Sequence, residues 1–345
     1  MHKPLSKSLT SSKNTPNNTS PLTPFVRAFL KRVQNTVATH QLWGPQDSFI
    51  VAVSGGADSL CLLDVLFLLS QKRPFPLHIA HVNYCLRGED SNLDEILVQK
   101  RAEHYRLNLS VLRPKKTSSA NLEEKLRDIR YRFFEKIRLQ KKATLIAVAH
   151  HQDDQAETFL LRLLRGSGMQ GLSAMRPKNE LLIRPLIDMS RADILRYLKE
   201  RGISYRTDTS NTDQRILRNR LRHSLIPLLE KEYQPNIKKI LADTATLLAH
   251  DYGLLEQNFS LPHKISGYDL VFSARELIHF PEAHLRHQLR LLFRSLYDKK
   301  SPPKGVIDEC LKLFKSTKNK AQSFTFRGLN IERKGDTVRL LDFYL

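Results

Sequence analysis

Short apolar runs alternate with longer helical patterns over the first two thirds of the chain. Each run has the length of a buried strand, and apolar residues at intervals of three and four follow it, which is typical of a helix. This alternation requires crossover connections, so it predicts an α/β fold with a Rossmann-like, mostly parallel sheet and helices on both faces. The predicted strands cover 49–53, 77–82, 107–112, 144–149 and 203–206.

The helical patterns between these runs have recognisable starts and ends. Ser190 followed by Asp193 has the form of a helix-starting box, and Gly202 suits the end of that helix. A very basic helix is predicted over 214–229, ending near Pro227 or slightly later. The other predicted helices of this region cover 25–37, the stretch from the first loop to residue 69, about 94–105, 122–139 and about 154–164.

The last third of the chain has a different pattern. Helical spacing continues to Tyr297, and Arg286, Arg290 and Arg294 fall on one helix face because they are four residues apart. Two runs, 323–332 and 337–343, predict a β-hairpin around 334–336. The composition changes near 225–235. We therefore predict a disordered tail over 1–23, an α/β catalytic domain over 24–230 and a smaller, mainly helical basic domain over 231–345 that ends in the hairpin.

Net charge sets this chain apart from an ordinary folded protein. Lys and Arg number 56 against 35 acids, and the formal net charge of +21 favours polyanionic partners such as nucleic acid or an anionic membrane surface. A basic protein without such a partner is the alternative. The longest apolar run, 60–69, is far shorter than the ~20 residues that span a bilayer, so no membrane insertion is expected.

Cysteine usage and the first residues bear on the compartment. Cys61, Cys85 and Cys310 are few, odd in number and form no C-x-x-C pair, which favours a reducing, cytoplasmic location. Residues 1–23 are rich in Ser, Thr, Asn, Pro and Lys, and no acid precedes Asp47. This composition predicts a disordered tail, with an organelle transit peptide as the alternative.

The loop 54–59, SGGADS, carries the strongest chemical signal. It follows a predicted strand and precedes a helix, where glycines let the backbone approach a phosphate and the helix start offers N–H donors. Ser54 and Ser59 add hydroxyl groups. Asp58 beside phosphates requires a cation between them, which Mg²⁺ would supply. The loop lacks the lysine of G-x-x-x-x-G-K-[ST], which argues against kinase or GTPase chemistry. A tight turn without a ligand is the alternative.

Polar residues also gather after the second strand and on the helix that follows the third. His81 and Asn83 stand at the end of the second strand, although a lone histidine is more often structural. Glu123 lies four residues before Arg127, which suits a surface ion pair. The sharper hypothesis has Arg127 or Arg130 facing the site and balancing phosphate charge.

The stretch 149–168 follows the fourth strand and is the longest polar motif. Asp154 and Glu157 are three apart, so both carboxylates lie on one face at a helix start, where they could bind the ammonium group of an amine. A metal site is the alternative, although no cysteine pair supports zinc. Its candidate ligands are His150, His151, Asp153 and Asp154.

Together these segments resemble the PP-loop ATPases, which split ATP into AMP and pyrophosphate, and within that group the tRNA(Ile)-lysidine synthetase family. The resemblance covers roughly residues 45–230 and is most specific over 149–168. It rests on SGGADS (54–59), HVNYCLRG (81–88), the helix with Arg127, Arg130 and Tyr131, AHHQDDQAETFLLRLLRGSG (149–168), RPL (184–186), DTSN (208–211) and RNRLR (218–222).

The resemblance implies an activity and a set of ligands. The family uses ATP to adenylate the C2 oxygen of the wobble cytidine in the CAU anticodon of tRNA(Ile), and the L-lysine amine then displaces AMP. It implies catalytic roles for Asp58 (through Mg²⁺), Arg127, His150 and Asp154. It implies ATP contacts at Ser54, Gly55, Gly56, Ala57, Asp58, Ser59, Ala80 and His81. It implies lysine contacts at Asp154, Glu157, Arg218 and Arg222. The basic face Arg286, Arg290 and Arg294 would meet the tRNA phosphates.

Some features depart from the family's pattern. Tyr84 stands where a second histidine is usual, and Leu126 stands where alanine is usual. The C-terminal part matches loosely, and the chain is expected to be the short form without the extra C-terminal domain of longer members, as a monomer or a homodimer. One alternative is a PP-loop tRNA thiolase, for which Cys61 and Cys85 lie near the loop without forming a pair. The other is a non-enzymatic RNA-binding protein with a relict nucleotide fold.

Overall fold

Two compact units make up the chain, which divides between His250 and Asp251. A computed structural model describes residues 21–86, 88–115, 122–206, 216–258, 261–296, 302–316, 318 and 320–341. The first unit contains the loop 54–59, and the second contains the basic C-terminal part. The division lies after the composition change near residue 230, within a long helix.

The described residues of the first unit form a six-stranded sheet in the order β3-β2-β1-β4-β6-β5. All neighbouring strands are parallel except β5 with β6, which confirms the predicted parallel α/β fold. The first four predicted strands are confirmed close to their predicted bounds. The strands are β1 (Phe49–Ala52), β2 (Leu77–Val82), β3 (Asn108–Leu112), β4 (Leu145–Ala147), β5 (Lys178–Asn179) and β6 (Leu182–Ile183).

Helices cover both faces of this sheet. Val51 packs in the core cluster that includes Phe29 and Leu63, whereas Ile50 packs with Phe134, because neighbouring strand residues point to opposite faces. No helix in the described ranges is long and apolar enough to cross a membrane. The helices are α1 (Pro24–Thr39), α2 (Ala57–Lys72), α3 (Glu89–Tyr105), α4 (Leu122–Gln140), α5 (Gln152–Leu164), α6 (Met169–Leu172), α7 (Arg191–Glu200), α8 (Leu217–Arg220), α9 (Ile226–Glu232) and α10 (Ile237–Asn258).

The segment after α7 differs from its prediction. Ser190 caps α7 by accepting the N–H of Asp193 at 3.1 Å, and Gly202 follows the helix with a φ of +63°, so both helix-end predictions are confirmed. The chain then crosses the loop 54–59, and the N–H of Arg206 donates to the carbonyl of Gly55 at 3.2 Å. The predicted strand over 203–206 is therefore wrong. The sheet ends instead in β6 and β5, which are too short to give an apolar pattern.

The predicted basic helix runs through Pro227 to the end of α9. Between α8 and α9, Leu221–Leu225 form a π-helical turn. Proline has no N–H to donate to the carbonyl of His223, four residues earlier, and its ring crowds that carbonyl. A wider turn relieves the crowding without ending the helix.

A buried ionic cluster ties α2 to α3 and α7. Asp64 is fully buried and accepts hydrogen bonds from the hydroxyls of Tyr105 at 2.7 Å and Tyr197 at 2.5 Å. Arg201 donates to it twice, from Nε at 2.9 Å and from Nη2 at 3.1 Å. A buried carboxylate is tolerated when it is paired and hydrogen-bonded in this way. Because α2 begins in the loop 54–59, the cluster fixes the direction of the helix behind that loop.

The described residues of the second unit form a five-stranded antiparallel sheet, in the order β7-β8-β11-β10-β9, with the end of α10 and three further helices. The predicted hairpin around 334–336 is confirmed as β10 and β11. The mainly helical prediction is confirmed, but it missed β7 and β8, which lie between the helices. In addition, the run 323–332 contains two strands, which turn at Arg327 and Gly328, where both φ angles are positive. The elements are β7 (Lys264–Ser266), β8 (Asp269–Ser273), α11 (Ala274–Leu277), α12 (Glu282–Leu296), α13 (Lys304–Lys315), β9 (Gln322–Phe326), β10 (Leu329–Lys334) and β11 (Thr337–Leu341).

Candidate active site

The loop 54–59 connects β1 to α2 at the carboxyl end of the strand. Gly55 has a φ of +92°, a conformation that favours glycine, and a Cβ there would lie 3.4 Å from α3. The hydroxyl of Ser59 donates to the carbonyl of Gly56 at 2.9 Å and accepts the N–H of Ser54 at 3.1 Å, which closes the turn. The first N–H groups of α2 have no acceptor inside the helix, so the loop presents donors and a positive dipole end to an anion.

Asp58 lies in the first turn of α2 beside two basic side chains. Its Oδ1 accepts a short hydrogen bond from Nη1 of Arg191 and lies 3.6 Å from Nε2 of His151. Burial raises the pKa of the Asp58 carboxyl, but His151 and Arg191 lower it by more, so the pKa lies below its ordinary value. Asp58 is therefore ionised at neutral pH.

Two cavities share Ser54, Gly56 and Asp58 in their walls. The smaller, of about 290 Å³, is mainly apolar and aromatic, and the larger, of about 550 Å³, is mainly charged. An aromatic cavity suits a planar base, whereas the arginines and lysine of the larger cavity can bind phosphates, although Asp58, Asp94, Asp153 and Glu157 share its walls. The smaller cavity is also lined by Val82, Tyr84, Arg130, Tyr131, Phe134 and His150. The cations of the larger cavity are Arg191, Arg206, Arg222 and Lys238.

Two acids of α5 and two arginines of the basic helix form an ion-pair quartet. Arg218 donates from Nε to Glu157 at 2.7 Å and from Nη2 to Asp154 at 2.9 Å, and Arg222 donates to the same two acids. Burial raises the pKa of Asp154, but His151 and Arg218 hold it below its ordinary value. The predicted shared helix face of Asp154 and Glu157 is confirmed, and the formal charge of the quartet is zero.

The two neighbouring histidines of the 149–168 stretch have opposite charge preferences. His150 accepts the Nε–H of Arg184 at Nδ1, at 3.1 Å, and burial lowers its pKa to about 3. Burial also opposes protonation of His151, but Asp154 and Asp58 outweigh it and raise its pKa above the ordinary value. At neutral pH His150 is therefore an uncharged hydrogen-bond acceptor, whereas His151 holds its proton more firmly than a free histidine.

The two arginines offered for phosphate contact on α4 occupy different positions. Arg127 is exposed, and its guanidinium carbon lies 5.6 Å from the ring centroid of Tyr131. Arg130 lines the smaller cavity. Arg130 therefore fits the hypothesis that one of the two arginines faces the site. Arg127 lines neither cavity, so no contact supports the catalytic role that the resemblance implied for it.

The predicted ATP contacts on β2 also need correction. Ala80 is fully buried in the cluster that contains Phe134, and it does not line the cavity. His81 points to the opposite face, where its Nδ1 lies 2.8 Å from the carbonyl oxygen of Val53. Because side chains alternate along a strand, Val82 rather than His81 reaches the cavity wall.

Three cations of the larger cavity were not marked by any sequence pattern. Arg191 begins α7, where a basic residue opposes the helix dipole. This unfavourable position is the one local feature that could have indicated a functional role for Arg191. Arg206 donates to Asp94 at 2.7 Å, and Lys238 lies 3.2 Å from Asp153, through contacts between distant parts of the chain. Two parts of the family resemblance, Arg87 and the segment 208–211, lie outside the described residues.

The described residues include no group of three or more His, Cys, Asp and Glu side chains arranged to hold a metal ion. The candidates for such a site are engaged otherwise: His150 with Arg184, and Asp153 with Lys238. The alternative of a zinc site therefore has no geometric support. Mg²⁺ needs fewer protein ligands than zinc, because substrate phosphates and water complete its coordination and one or two carboxylates suffice. The ionised Asp58 at the phosphate-binding loop fits that requirement.

The three arginines expected to meet tRNA lie on α12 of the second unit. Arg286 pairs with Glu282, four residues earlier, at 2.8 Å and forms a short ion pair with Asp308. Arg290 and Arg294 are half-buried beside the core residues of the helix. Arg286 is thus neutralised inside its own unit, which makes it a poorer phosphate contact than its spacing suggested.

The sequence profile of the PP-loop domain family matches residues 25–229, a segment that contains the parallel sheet, the loop 54–59 and the ion-pair quartet. The chain belongs to the PP-loop family. Its membership accounts for a glycine turn that presents helix N–H groups at the carboxyl end of a central strand.

Curated relatives of this PP-loop chain share one name. The chain is 43% identical over 240 residues to the tRNA(Ile)-lysidine synthase of Geobacter sulfurreducens, a match that covers 67% of the chain and 50% of the relative. It is 39% identical over 223 residues to the tRNA(Ile)-lysidine synthase of Bacteroides thetaiotaomicron, with 63% and 51% covered. The chain therefore spans about half the length of these curated relatives.

A solved structure shares the fold of this PP-loop chain. The U34-tRNA thiolase NcsA from Methanococcus maripaludis, determined with its [4Fe-4S] cluster, aligns with a TM-score of 0.53 at 19% identity. The alignment covers 65% of this chain and 80% of the thiolase. At that identity the similarity concerns the fold alone.

Proposed function

We propose that this PP-loop chain is a cytoplasmic tRNA(Ile)-lysidine synthetase, a ligase that forms a carbon–nitrogen bond. ATP adenylates the C2 oxygen of the wobble cytidine in the CAU anticodon of tRNA(Ile), and pyrophosphate leaves. The side-chain amine of L-lysine then attacks C2 and displaces AMP. The name that the curated relatives share supports this assignment, over the half of their length that the chain covers.

One observation carries the proposal: three members of the quartet, Asp154, Glu157 and Arg222, border the same cavities as the loop 54–59, and Arg218 is paired with two of them. Asp154 lines the smaller cavity, and Glu157 and Arg222 line the larger. An amino acid brings both charges, so carboxylates can bind its ammonium group and arginines its carboxylate. A phosphate-binding loop beside such a quartet is the arrangement that joining an amino acid to an adenylated acceptor requires.

The smaller cavity is the proposed site of adenine and the α-phosphate. Val82 and Phe134 offer apolar walls, and Tyr84 and Tyr131 offer rings for stacking. Arg130 and the uncharged His150 stand at the same cavity, where they can donate to phosphate or nucleotide oxygens as charge develops. Tyr84, which replaces the family's usual histidine, therefore remains able to contribute packing.

The chain's own residues would supply positioning and proton transfer. Mg²⁺ held by Asp58 and the phosphates would neutralise charge on the leaving pyrophosphate. Ser54, Ser59 and the first N–H groups of α2 would orient it. Lysine must lose a proton before its amine can attack, and Glu157 is the proposed acceptor, because the lowered pKa of Asp154 suits ammonium binding better than proton acceptance. The quartet thus serves in binding and as a base.

The proposed macromolecular partner is tRNA(Ile). The net charge of +21 favours a polyanion, and the basic face of α12 with Arg286, Arg290 and Arg294 is the proposed site of phosphate contact. The target cytidine lies in a single-stranded loop, so turning it toward the nucleotide costs less than flipping a base from a duplex. Affinity for tRNA should then fall steeply with salt.

The decisive experiment incubates the purified chain with ATP, labelled lysine and bulk tRNA. We expect label in the RNA together with release of AMP and pyrophosphate. A tRNA(Ile) transcript with uridine at the wobble position is the matched control and should stay unlabelled. Release of ADP, or label-free RNA alongside an active reference enzyme, would count against the proposal.

The thiolase and relict interpretations gain less support. Cys61 is fully buried in α2, and burial raises the pKa of its thiol far above the ordinary value, which opposes thiolate chemistry. The cysteines of the described residues are all unpaired. A relict fold would have no need of an ionised Asp58 beside a complete ion-pair quartet, and tRNA-dependent exchange between ATP and pyrophosphate would exclude it.

A further inference from the structure

We propose that Arg191 binds the leaving pyrophosphate, and that it exchanges Asp58 for the phosphates when the nucleotide enters. The proposal rests on the proposed function in one respect only, the release of pyrophosphate at the loop 54–59. It does not depend on the identity of the acceptor RNA or of the amine.

The position of Arg191 combines a fixed backbone with a movable side chain. Its backbone N–H donates to Oδ1 of Asp153 at 2.9 Å, directly after the Ser190 cap of α7. Its guanidinium pairs with Asp58 while its side chain keeps 37% of its surface exposed in the wall of the larger cavity. A rotamer change can therefore turn the guanidinium toward that cavity without moving the helix.

Charge balance gives this movement a direction. Asp58 faces the place where phosphates would bind, so a cation must shield it, and Arg191 fills that role together with His151 in the nucleotide-free state. Once Asp58 is shared with a metal–nucleotide complex, its attraction for the guanidinium falls and the phosphates become the stronger anion. A planar guanidinium can donate two parallel hydrogen bonds to phosphate oxygens, which favours arginine over lysine at such a position.

The other cations of the larger cavity are held by other acids. Arg206 donates to Asp94 and Asp90, Arg222 to Glu157, and Lys238 lies between Asp153 and Glu230. Among the described arginines and lysines of this cavity, Arg191 is the one whose partner, Asp58, belongs to the phosphate-binding loop; His151, in the same cavity, also lies 3.6 Å from Asp58. Its release is thus coupled to occupancy of the loop itself.

Two binding measurements on the full chain, without tRNA or lysine, test the exchange. Calorimetry with inorganic pyrophosphate and Mg²⁺ follows the anion, and Mn²⁺ alone, followed by its electron spin resonance signal, probes Asp58. We expect Arg191→Gln to weaken pyrophosphate binding roughly tenfold or more and to strengthen nucleotide-free Mn²⁺ binding by a similar factor, because the carboxylate loses its competing cation. Arg191→Lys should keep part of the pyrophosphate affinity.

Lys199→Gln is the matched control, because it removes one exposed positive charge from the same helix. It should change neither measurement by more than about twofold. Unchanged pyrophosphate affinity in Arg191→Gln would overturn the proposal, as would weaker Mn²⁺ binding, which would indicate a site that has lost its shape. Neither assay requires lysine transfer, so a failed lysine-transfer experiment would leave this result interpretable.

Discussion

Arg222 donates a hydrogen bond to each carboxylate oxygen of Glu157: its Nε lies 2.5 Å from Oε1 and its Nη2 lies 3.0 Å from Oε2. Glu157 is almost wholly buried, so this paired geometry compensates for the lost hydration of the carboxylate. The pair holds the carboxylate group in one orientation before any amine arrives. An incoming ammonium group would share an oriented carboxylate rather than having to order one.

Replacing Glu157 with glutamine should impair lysine use more than ATP use. The amide is neutral and cannot form a charge-assisted hydrogen bond with an ammonium group. We expect the KM for lysine to rise roughly tenfold or more, while the KM for ATP changes little. Steady-state kinetics with each substrate varied in turn would decide the matter. Equal effects on both KM values would count against an ammonium-binding role.

Removing the charge of Asp58 should block adenylation while sparing RNA binding. Asp58→Asn keeps the shape of the side chain but cannot hold a metal ion against the phosphates. We expect exchange between ATP and pyrophosphate to fall by roughly 10²- to 10³-fold, with tRNA affinity within a few-fold of the wild type. Asp243→Asn, on the exposed face of α10, serves as the control. Near-normal exchange in Asp58→Asn would remove this residue from the mechanism.

The buried cluster around Asp64 should contribute strongly to stability. Asp64→Ala leaves Arg201 as an uncompensated buried charge. It also removes the hydrogen-bond acceptor of the Tyr105 and Tyr197 hydroxyls. We expect the free energy of unfolding of the first unit to drop by about 3–5 kcal/mol. Urea denaturation would measure the change. Asp243→Asn, which breaks an exposed pair with Lys239, should cost under about 1 kcal/mol; a similar loss in both variants would contradict the assignment.

The two histidines predict opposite titration behaviour. The pKa of His151 is raised in the folded chain, so the stability it contributes is complete below its ordinary pKa of 6.5 and disappears as pH rises through the higher folded value. The free energy of unfolding of wild type minus His151→Asn should therefore be larger at about pH 5.5 than at about pH 8.5. His150, with a pKa near 3, should show no imidazole titration by NMR across this range. Titration of His150 near neutrality would contradict its buried, uncharged state.

The sequence was most informative where the signals are local. The spacing of Asp154 and Glu157 places them on one helix face, and the glycine turn between a strand and a helix predicts the geometry of the loop 54–59. Both follow from a few consecutive residues, and both are confirmed by the described backbone and contacts. The family resemblance extended this local information to ligands and partners but did not fix which α4 arginine reaches the cavity.

The features that sequence could not supply depend on contacts between distant segments. Arg191 pairs with Asp58, and Lys238 pairs with Asp153. Both contacts join residues that are far apart in the chain, so no periodic pattern in the sequence predicts them. The segment 203–206 has a strand-like pattern, yet its Arg206 crosses the loop 54–59 instead of joining the sheet. In the second unit, β7 and β8 are short and follow a long helical pattern. The sequence pattern therefore indicated a helix there and did not predict these two strands of the antiparallel sheet.

Pro227 has a consequence beyond its own helix. Because it holds open the wide turn at 221–225, it changes the angular spacing between the part of the helix that carries Arg218 and Arg222 and the part that leads into α10. Replacing it with alanine would permit a regular helix and so rotate one part against the other. Pro227 therefore sets the orientation of Arg218 and Arg222 at the proposed lysine site, although it contacts neither proposed substrate.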